Sequence, residues 1–335
     1  RSISTSLENS VMRILILGGH GFIGCHTANL LKQQGHVVGV VDCYHQYYTF
    51  PDFEYYKVLK QRKDHANNDY TFTGKIEDEM FMSQTFHQFK PEVVVHLATY
   101  PNAKMVARNV KDATNNMITA TATILDLCVK FEVKRFVFSS SSMAYGDFNG
   151  KTPNEDVVCN PNTLYGSYKH QGERMCQIWN KQHGLEYVIM RPSALYGTRD
   201  MIVRVISQMT LSALQNNTIQ VQGPDNKLDF SNVLDVADAF AKASTMENAT
   251  NQVFNCTRGR GRKIIDAAEL VKQELGFGKI ITKPHDPFYP NRDTLNSDKI
   301  KIELGWQPQI DIEQGIKDYI KWLLEQDFLD HYTKK

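Results

Sequence analysis

No apolar run in the 335 residues approaches the roughly 20 that a membrane-spanning helix needs. Neither sign of charge is in excess: 38 basic side chains meet 37 acidic ones, for a net charge of +1. Bulk binding to nucleic acid or to an anionic membrane is therefore not expected. The six cysteines, Cys25, Cys43, Cys128, Cys159, Cys176 and Cys256, form no CxxC or other metal-ligand spacing. They read as free thiols in a reducing, cytoplasmic compartment, and no metal is expected. The first segment, residues 1–11, is polar and lacks the apolar stretch of a signal peptide. It reads as a leader or cloning remnant, with Met12 as the natural start.

What is present is alternation. Short apolar runs at Arg13–Leu17, Val37–Val41, Glu92–Leu97, Arg135–Ser139 and Tyr187–Arg191 read as strands buried on both faces. Helical patterns lie between them, at Phe22–Gln34, Asp78–Phe89, Ala113–Phe131 and Tyr165–His183. Strand–helix repetition predicts an α/β fold, a doubly wound Rossmann-type parallel sheet over residues 12–190. Residues 191–335 read as a smaller α/β lobe, with some elements interleaved with the first domain. Its expected elements are helices at Met201–Gln215, Val236–Met246, Ile264–Leu275 and Ile312–Leu324, and a strand at Leu228–Val233. With no flexible linker, a cleft between the lobes is expected at the sheet's C-terminal edge.

The first strand runs into Gly18, Gly21 and Gly24, spaced GxxGxxG, and a helix follows. Such glycines let backbone approach a pyrophosphate, and the helix N-terminus attracts the anion. The second strand ends at Asp42, whose carboxylate suits two ribose hydroxyls and repels a 2′-phosphate. No arginine follows in Cys43-Tyr44-His45, so NAD is favoured over NADP.

Tyr165 and Lys169 are four apart and share a helix face. An ammonium beside a phenol favours the phenolate and so makes a usable proton acceptor. The run Ser139 to Ser142 ends the preceding strand, where a hydroxyl can position the reacting oxygen. The bland alternatives are a surface Tyr/Lys pair and a serine loop closed by its own turns.

Together GGHGFIG, Asp42, HLA at 96–98, FSSSSMAYG at 138–146, YGSYKHQGE at 165–173 and LGW at 304–306 resemble an extended short-chain dehydrogenase/reductase. The resemblance is to its nucleotide-sugar epimerase/dehydratase branch, and within it to UDP-hexose 4-epimerases. It implies Tyr165 as proton acceptor, Lys169 as its partner and Ser141 as the catalytic hydroxyl. It places Gly18, Gly21, Phe22, Ile23, Gly24, Asp42, Ile76, Leu97, Ala98, Asn116 and Ser139 about the NAD, with Tyr165 and Lys169. It assigns Ser141, Ser142, Lys227 and Arg292 to a nucleotide-sugar substrate. Ser142 and Met143 stand where the branch's 4,6-dehydratases carry an acid pair, which argues against dehydration. Three departures are noted: Lys75 replaces an aspartate at the adenine, Leu228 an arginine at the diphosphate, and Ala194, beside Ser193, a substrate-side asparagine.

Of the histidines, His20 reads as a loop residue near the cofactor and His96 as a satisfied core residue. His26, His170 and His183 read as helical residues without paired acids at ligand spacing. The aromatic stretch Tyr44, Tyr47, Tyr48, Phe50, Phe53, Tyr55 and Tyr56 reads as packing or a cofactor lid. The 113–131 and 165–183 helices resemble those that pair in the branch's homodimers. The functional expectation is an NAD-dependent 4-epimerase working through a 4-keto sugar. A dehydrogenase or 4-keto-sugar reductase and a non-catalytic NAD-binding protein are the alternatives.

Overall fold

The computed structural model describes residues 10–47, 52–200 and 204–327. Its strands are β1 (Arg13–Leu17), β2 (Val37–Asp42), β3 (Tyr70–Thr73), β4 (Val93–His96), β5 (Arg135–Ser139), β6 (Glu186–Arg191), β7 (Ala194–Tyr196), β8 (Thr218–Gln222), β9 (Lys227–Asn232), β10 (Gln252–Asn255), β11 (Gly261–Lys263) and β12 (Lys279–Lys283). Seven of them form one sheet in the order β10-β6-β5-β4-β1-β2-β3, every pair parallel. The order reverses between β1 and β4, so a crevice opens at the C-terminal ends of these two strands.

Helices cover both faces: α1 (Phe22–Gln33), α2 (Asp52–Ala66), α3 (Glu79–Phe89), α4 (Ala103–Arg108), α5 (Val110–Thr114), α6 (Ala120–Lys130) and α7 (Leu164–His183). The period of two along β1 divides the core. Ile14 and Ile16 pack with Cys25, Ala28 and Leu31 of α1, whereas Leu15 and Leu17 pack with Phe86, Ile124 and Leu125. The predicted 113–131 helix is interrupted by a π turn over Asn115–Thr119. Such turns cluster at functional sites because they re-aim a side chain.

The remaining helices are α8 (Val205–Asn216), α9 (Val233–Thr245), α10 (Ile264–Leu275), α11 (Asp298–Leu304) and α12 (Ile312–Leu324). Of the expected 201–215 helix, residues 201–203 lie outside the described residues. The α9 helix begins three residues before its expected start because Asn232 caps it, its side chain accepting from Leu234 N at 3.0 Å. The first sheet takes β10 as its edge strand, and Val236 and Phe240 of α9 join its core. Residues 191–335 thus contribute to both layers. Their own core, built on Ile219, Phe230, Val271 and Ile316, supports a three-stranded sheet, β11-β9-β7, and the β12-β8 pair. No described helix is long and apolar enough to cross a membrane.

Candidate active site

A cleft of about 1130 Å³ runs from the glycine turn after β1 to the face of the smaller lobe. That exceeds the usual ~300–1,000 Å³ of a single small-ligand pocket. Gly18, Gly24 and Asp42 line one end; Gln220, Gln222 and Lys227 line the other. Two ligands laid end to end fit this shape.

The glycine turn is built around contacts that a side chain would break. Gly18 sits at φ +77°, and a Cβ there would lie 2.8 Å from Ala98 N. A Cβ on Gly24 would lie 2.4 Å from Gly18 O. The backbone therefore closes on itself and leaves a cradle against the N-terminus of α1, whose first turn carries no acidic residue. At the end of β2, Asp42 accepts from His20 N at 3.1 Å and Tyr44 N at 2.9 Å. These bonds fix the carboxylate at the cleft wall, and its remaining lone pairs suit a ribose diol. The cation nearest in kind to an NADP ligand, Arg62, gives its Nε and Nη2 to Arg199 O at 3.0 and 2.6 Å. Ile76, Leu97, Ala98 and Asn116 line the same end, as do Phe22 and Ile23. Asn116 Oδ1 is buried without a partner, as an acceptor awaiting a donor would be. The residues present fit an adenine dinucleotide.

The reactive end is set by α7. Thr163 caps the helix, accepting from Gly166 N at 3.1 Å, and this places Tyr165 and Lys169 one turn apart over the end of β5. Lys169 is buried and donates to Ser139 O at 2.8 Å. Its Nζ lies 5.8 Å from the Tyr165 ring centre. Tyr165 and Ser141 line the same cleft, and Ser141 Oγ accepts from Met143 N at 3.2 Å. Burial raises the Tyr165 pKa; Arg204, the Ser141 hydrogen bond and Arg292 work against it. Burial likewise drives the Lys169 ammonium down to about 7, opposed by the charge of Glu173.

The serine run is held from below. Glu173 accepts from Ser140, and from Arg191 Nε and Nη2 at 2.8 and 2.6 Å. Burial alone would raise this carboxyl; Arg191, His170 and Ser140 outweigh it and hold it at about 2. Arg191 also donates to Tyr145 Oη at 2.7 Å.

On the substrate side, Arg292 Nη1 donates to Ser142 Oγ at 3.1 Å, and its Nε has no partner. No acid stands at Ser142 or Met143, although both are fully within the buried serine turn. Lys227 reaches the cleft, but its ammonium lies 3.5 Å from Asp293 and is shared with that carboxylate. Leu228 packs into the smaller lobe's core, so the position opposite Arg292 carries no second guanidinium. Ser193 Oγ is buried in the cleft wall without a partner.

Several cleft residues had no signature in the sequence. Arg204 caps α8, pairs with buried Asp200 at 2.5 Å and lays its guanidinium 4.4 Å from the Phe22 ring centre. Glu77 accepts from Asn116 Nδ2 at 3.0 Å. The aromatic stretch packs at the cofactor end: Tyr47 meets Tyr100 edge-on at 5.0 Å, and Tyr55 Oη donates to Tyr44 O at 2.6 Å. Tyr48, Phe50 and the side chain of Phe53 lie outside the described residues.

The histidines need two corrections. His170 does meet an acid at helical spacing: Nδ1 lies 3.5 Å from Glu173 Oε2. With Cys159 these groups bring three potential ligand atoms within 4.8 Å of one another. Glu173 is nonetheless committed to the Arg191 guanidinium, a cation that would repel a metal ion placed beside it. His20 bonds Tyr44 Oη and Asn68 Oδ1, as a residue of the cofactor loop. His96 is only half satisfied: Nε2 pairs with Thr121 at 3.1 Å, while buried Nδ1 has no partner.

Known proteins are similar to this one over nearly the whole chain. A putative UDP-glucose 4-epimerase of Methanocaldococcus jannaschii is 30% identical over 92% of this chain and 98% of its own. A dTDP-glucose 4,6-dehydratase of Shigella flexneri is 26% identical over 93% of each. The UDP-glucose 4-epimerase of Thermotoga maritima, solved with UDP-glucose, superposes with a TM-score of 0.84 at 28% identity, covering 94% and 99% of the two chains. The family model described as the NAD dependent epimerase/dehydratase family matches residues 14–257. The chain belongs to the NAD dependent epimerase/dehydratase family, the extended short-chain dehydrogenase/reductase enzymes, and NAD is its cofactor.

Proposed function

We propose that the protein is a nucleotide-sugar 4-epimerase that works through a transient 4-keto sugar. The observation that carries the reading is Tyr165 and Ser141 together in the cleft wall beside a Ser142-Met143 pair with no acid. NAD held at the glycine turn and Asp42 would supply the hydride acceptor and donor for the sugar carbon. Tyr165 takes the C4 hydroxyl proton as the C4–H bond breaks and the carbonyl forms. Ser141 donates to that oxygen and keeps it against Tyr165. Arg292 and Lys227 face the diphosphate, which anchors the substrate while the small 4-keto ring presents its other face. Tyr165 then returns the proton. Elimination of water needs a second acid or base at the neighbouring carbons, and Ser142 and Met143 offer none. The loss of an arginine at Leu228 favours, as a second reading, a dehydrogenase or 4-keto-sugar reductase with the same Ser141, Tyr165 and Lys169.

The test is to incubate the protein with a UDP-hexose deuterated at C4, with no added cofactor. Epimerisation with deuterium retained at C4 supports the reading. Turnover only with stoichiometric added NAD+, giving a keto sugar and NADH, moves it to the dehydrogenase. We also read the face of α5 and α7 as a homodimer contact, since Val110, Leu164 and Ile178 are 44%, 42% and 41% exposed. Light scattering that finds a monomer at micromolar concentration contradicts this. The six free thiols fit the reducing compartment of the cytoplasm.

A further inference from the structure

Lys75 removes an acceptor from the wall beyond Asp42, yet the wall is not without one. The backbone after β3 runs directly beside the end of β2: Gly74 N donates to Asp42 O at 3.1 Å. Two residues beyond Lys75, Glu77 turns into the same cleft. Its Oε1 accepts from Asn116 Nδ2 at 3.0 Å. An ionised carboxylate only accepts, so it obliges the amide to turn its NH2 group toward Glu77. Asn116 Oδ1 then has one orientation left, and it is buried there with no partner. Asn116 is 4% exposed and sits in the π turn, which leaves its amide little freedom to rotate.

We infer that Glu77 is a positioning residue that locks the Asn116 amide so that Oδ1 reads the 6-amino group of the cofactor's adenine. The inference rests on the NAD reading. With Asp42 on the adenine ribose, the base lies beyond β2, where Gly74 to Glu77 and Asn116 form the wall. A lone acceptor rewards a purine that presents a donor at C6 and penalises one that presents an oxygen. Lys75 only donates and cannot supply this contact. The selection for an amino purine therefore comes from an amide held by a carboxylate on the same strand end. No side chain of Glu77 needs to touch the base.

The experiment compares NAD with nicotinamide hypoxanthine dinucleotide, which carries an oxygen in place of the amino group. Dissociation constants are measured by calorimetry on the full chain after removal of bound nucleotide. The wild type is expected to prefer NAD by about tenfold or more. In Glu77→Leu the amide is free to flip and present its NH2 group, and the ratio is expected to fall toward one. Glu77→Gln keeps an acceptor for Asn116 and is expected to retain most of the preference. Equal binding of the two dinucleotides by the wild type overturns the inference while leaving the cofactor reading intact. So does a Glu77→Leu ratio equal to that of the wild type. Binding of neither dinucleotide overturns both.

Discussion

Arg191 grips Glu173 through two nitrogens, at 2.6 and 2.8 Å, directly beneath the serine run that carries Ser141. The pair is almost fully buried, at 5% and 2% side-chain exposure. Removing one partner strands the other. Glu173→Gln is expected to lower unfolding stability by about 3–5 kcal/mol, read from denaturant midpoints. The folded-state pKa of about 2 lies below the ordinary 4.5, so the stabilisation is present above pH 4.5 and lost as pH falls toward 2. A variant with wild-type stability at pH 7 contradicts this account of the serine platform.

Lys169 should reveal a conflict between stability and chemistry. Burial holds its folded pKa at about 7 against an ordinary 10.5. Between these values the unfolded chain binds more protons, so this group makes stability rise with pH. The stability of the nucleotide-free wild type relative to Lys169→Met is expected to grow from pH 7 to pH 10. The variant should also lose about 10²-fold or more in kcat. A stability difference that is flat with pH would mean that the ammonium is not desolvated.

Arg204 favours the Tyr165 phenolate against the effect of burial, with Ser141 and Arg292 acting in the same sense and the Lys169 ammonium one helical turn away. A proton acceptor must be deprotonated to work, so the rising limb of kcat/KM against pH reports this group. Arg204→Gln is expected to move that limb to higher pH. A displacement of one unit costs about tenfold at pH 7 and is recovered in alkali. An unshifted limb with uniformly lower activity would assign Arg204 a packing role on Phe22 alone.

Arg292 has a free Nε in the cleft and one bond to Ser142. Arg292→Gln is expected to raise KM for a nucleotide sugar by about 10–100-fold, the worth of charge-assisted hydrogen bonds to phosphate. NAD affinity should not change. Loss of NAD binding would place Arg292 on the cofactor instead.

Much of the site is legible in the amino-acid sequence itself. GxxGxxG after an apolar strand, Asp42 at the next strand end, and Tyr165 with Lys169 all carry local spacing rules; the folded chain brings the glycines, Asp42 and Tyr165 to one cleft and buries Lys169 against Ser139 O behind it. Elements with weak local signals are not legible. The strand β3 is mostly exposed and lacks an apolar run, and β10 is an edge strand of four residues. The carboxylate of Glu77 and the guanidinium of Arg204 belong to no motif. Only sheet order brings Glu77 beside Asn116, 39 residues away, and only the packing of the smaller lobe brings Arg204 over Phe22. The His170–Glu173 contact does follow a helical spacing rule, but spacing does not show that Arg191 already holds the acid.

The proposed 4-epimerase reaction would recycle NAD within the cleft, so the cofactor need not leave. The most direct test is to purify the protein without added nucleotide, denature it and analyse the supernatant. The account predicts NAD or NADH at close to one per chain. An empty site that binds NADH reversibly would contradict the epimerase reading, and recovered NADP would contradict the role given to Asp42.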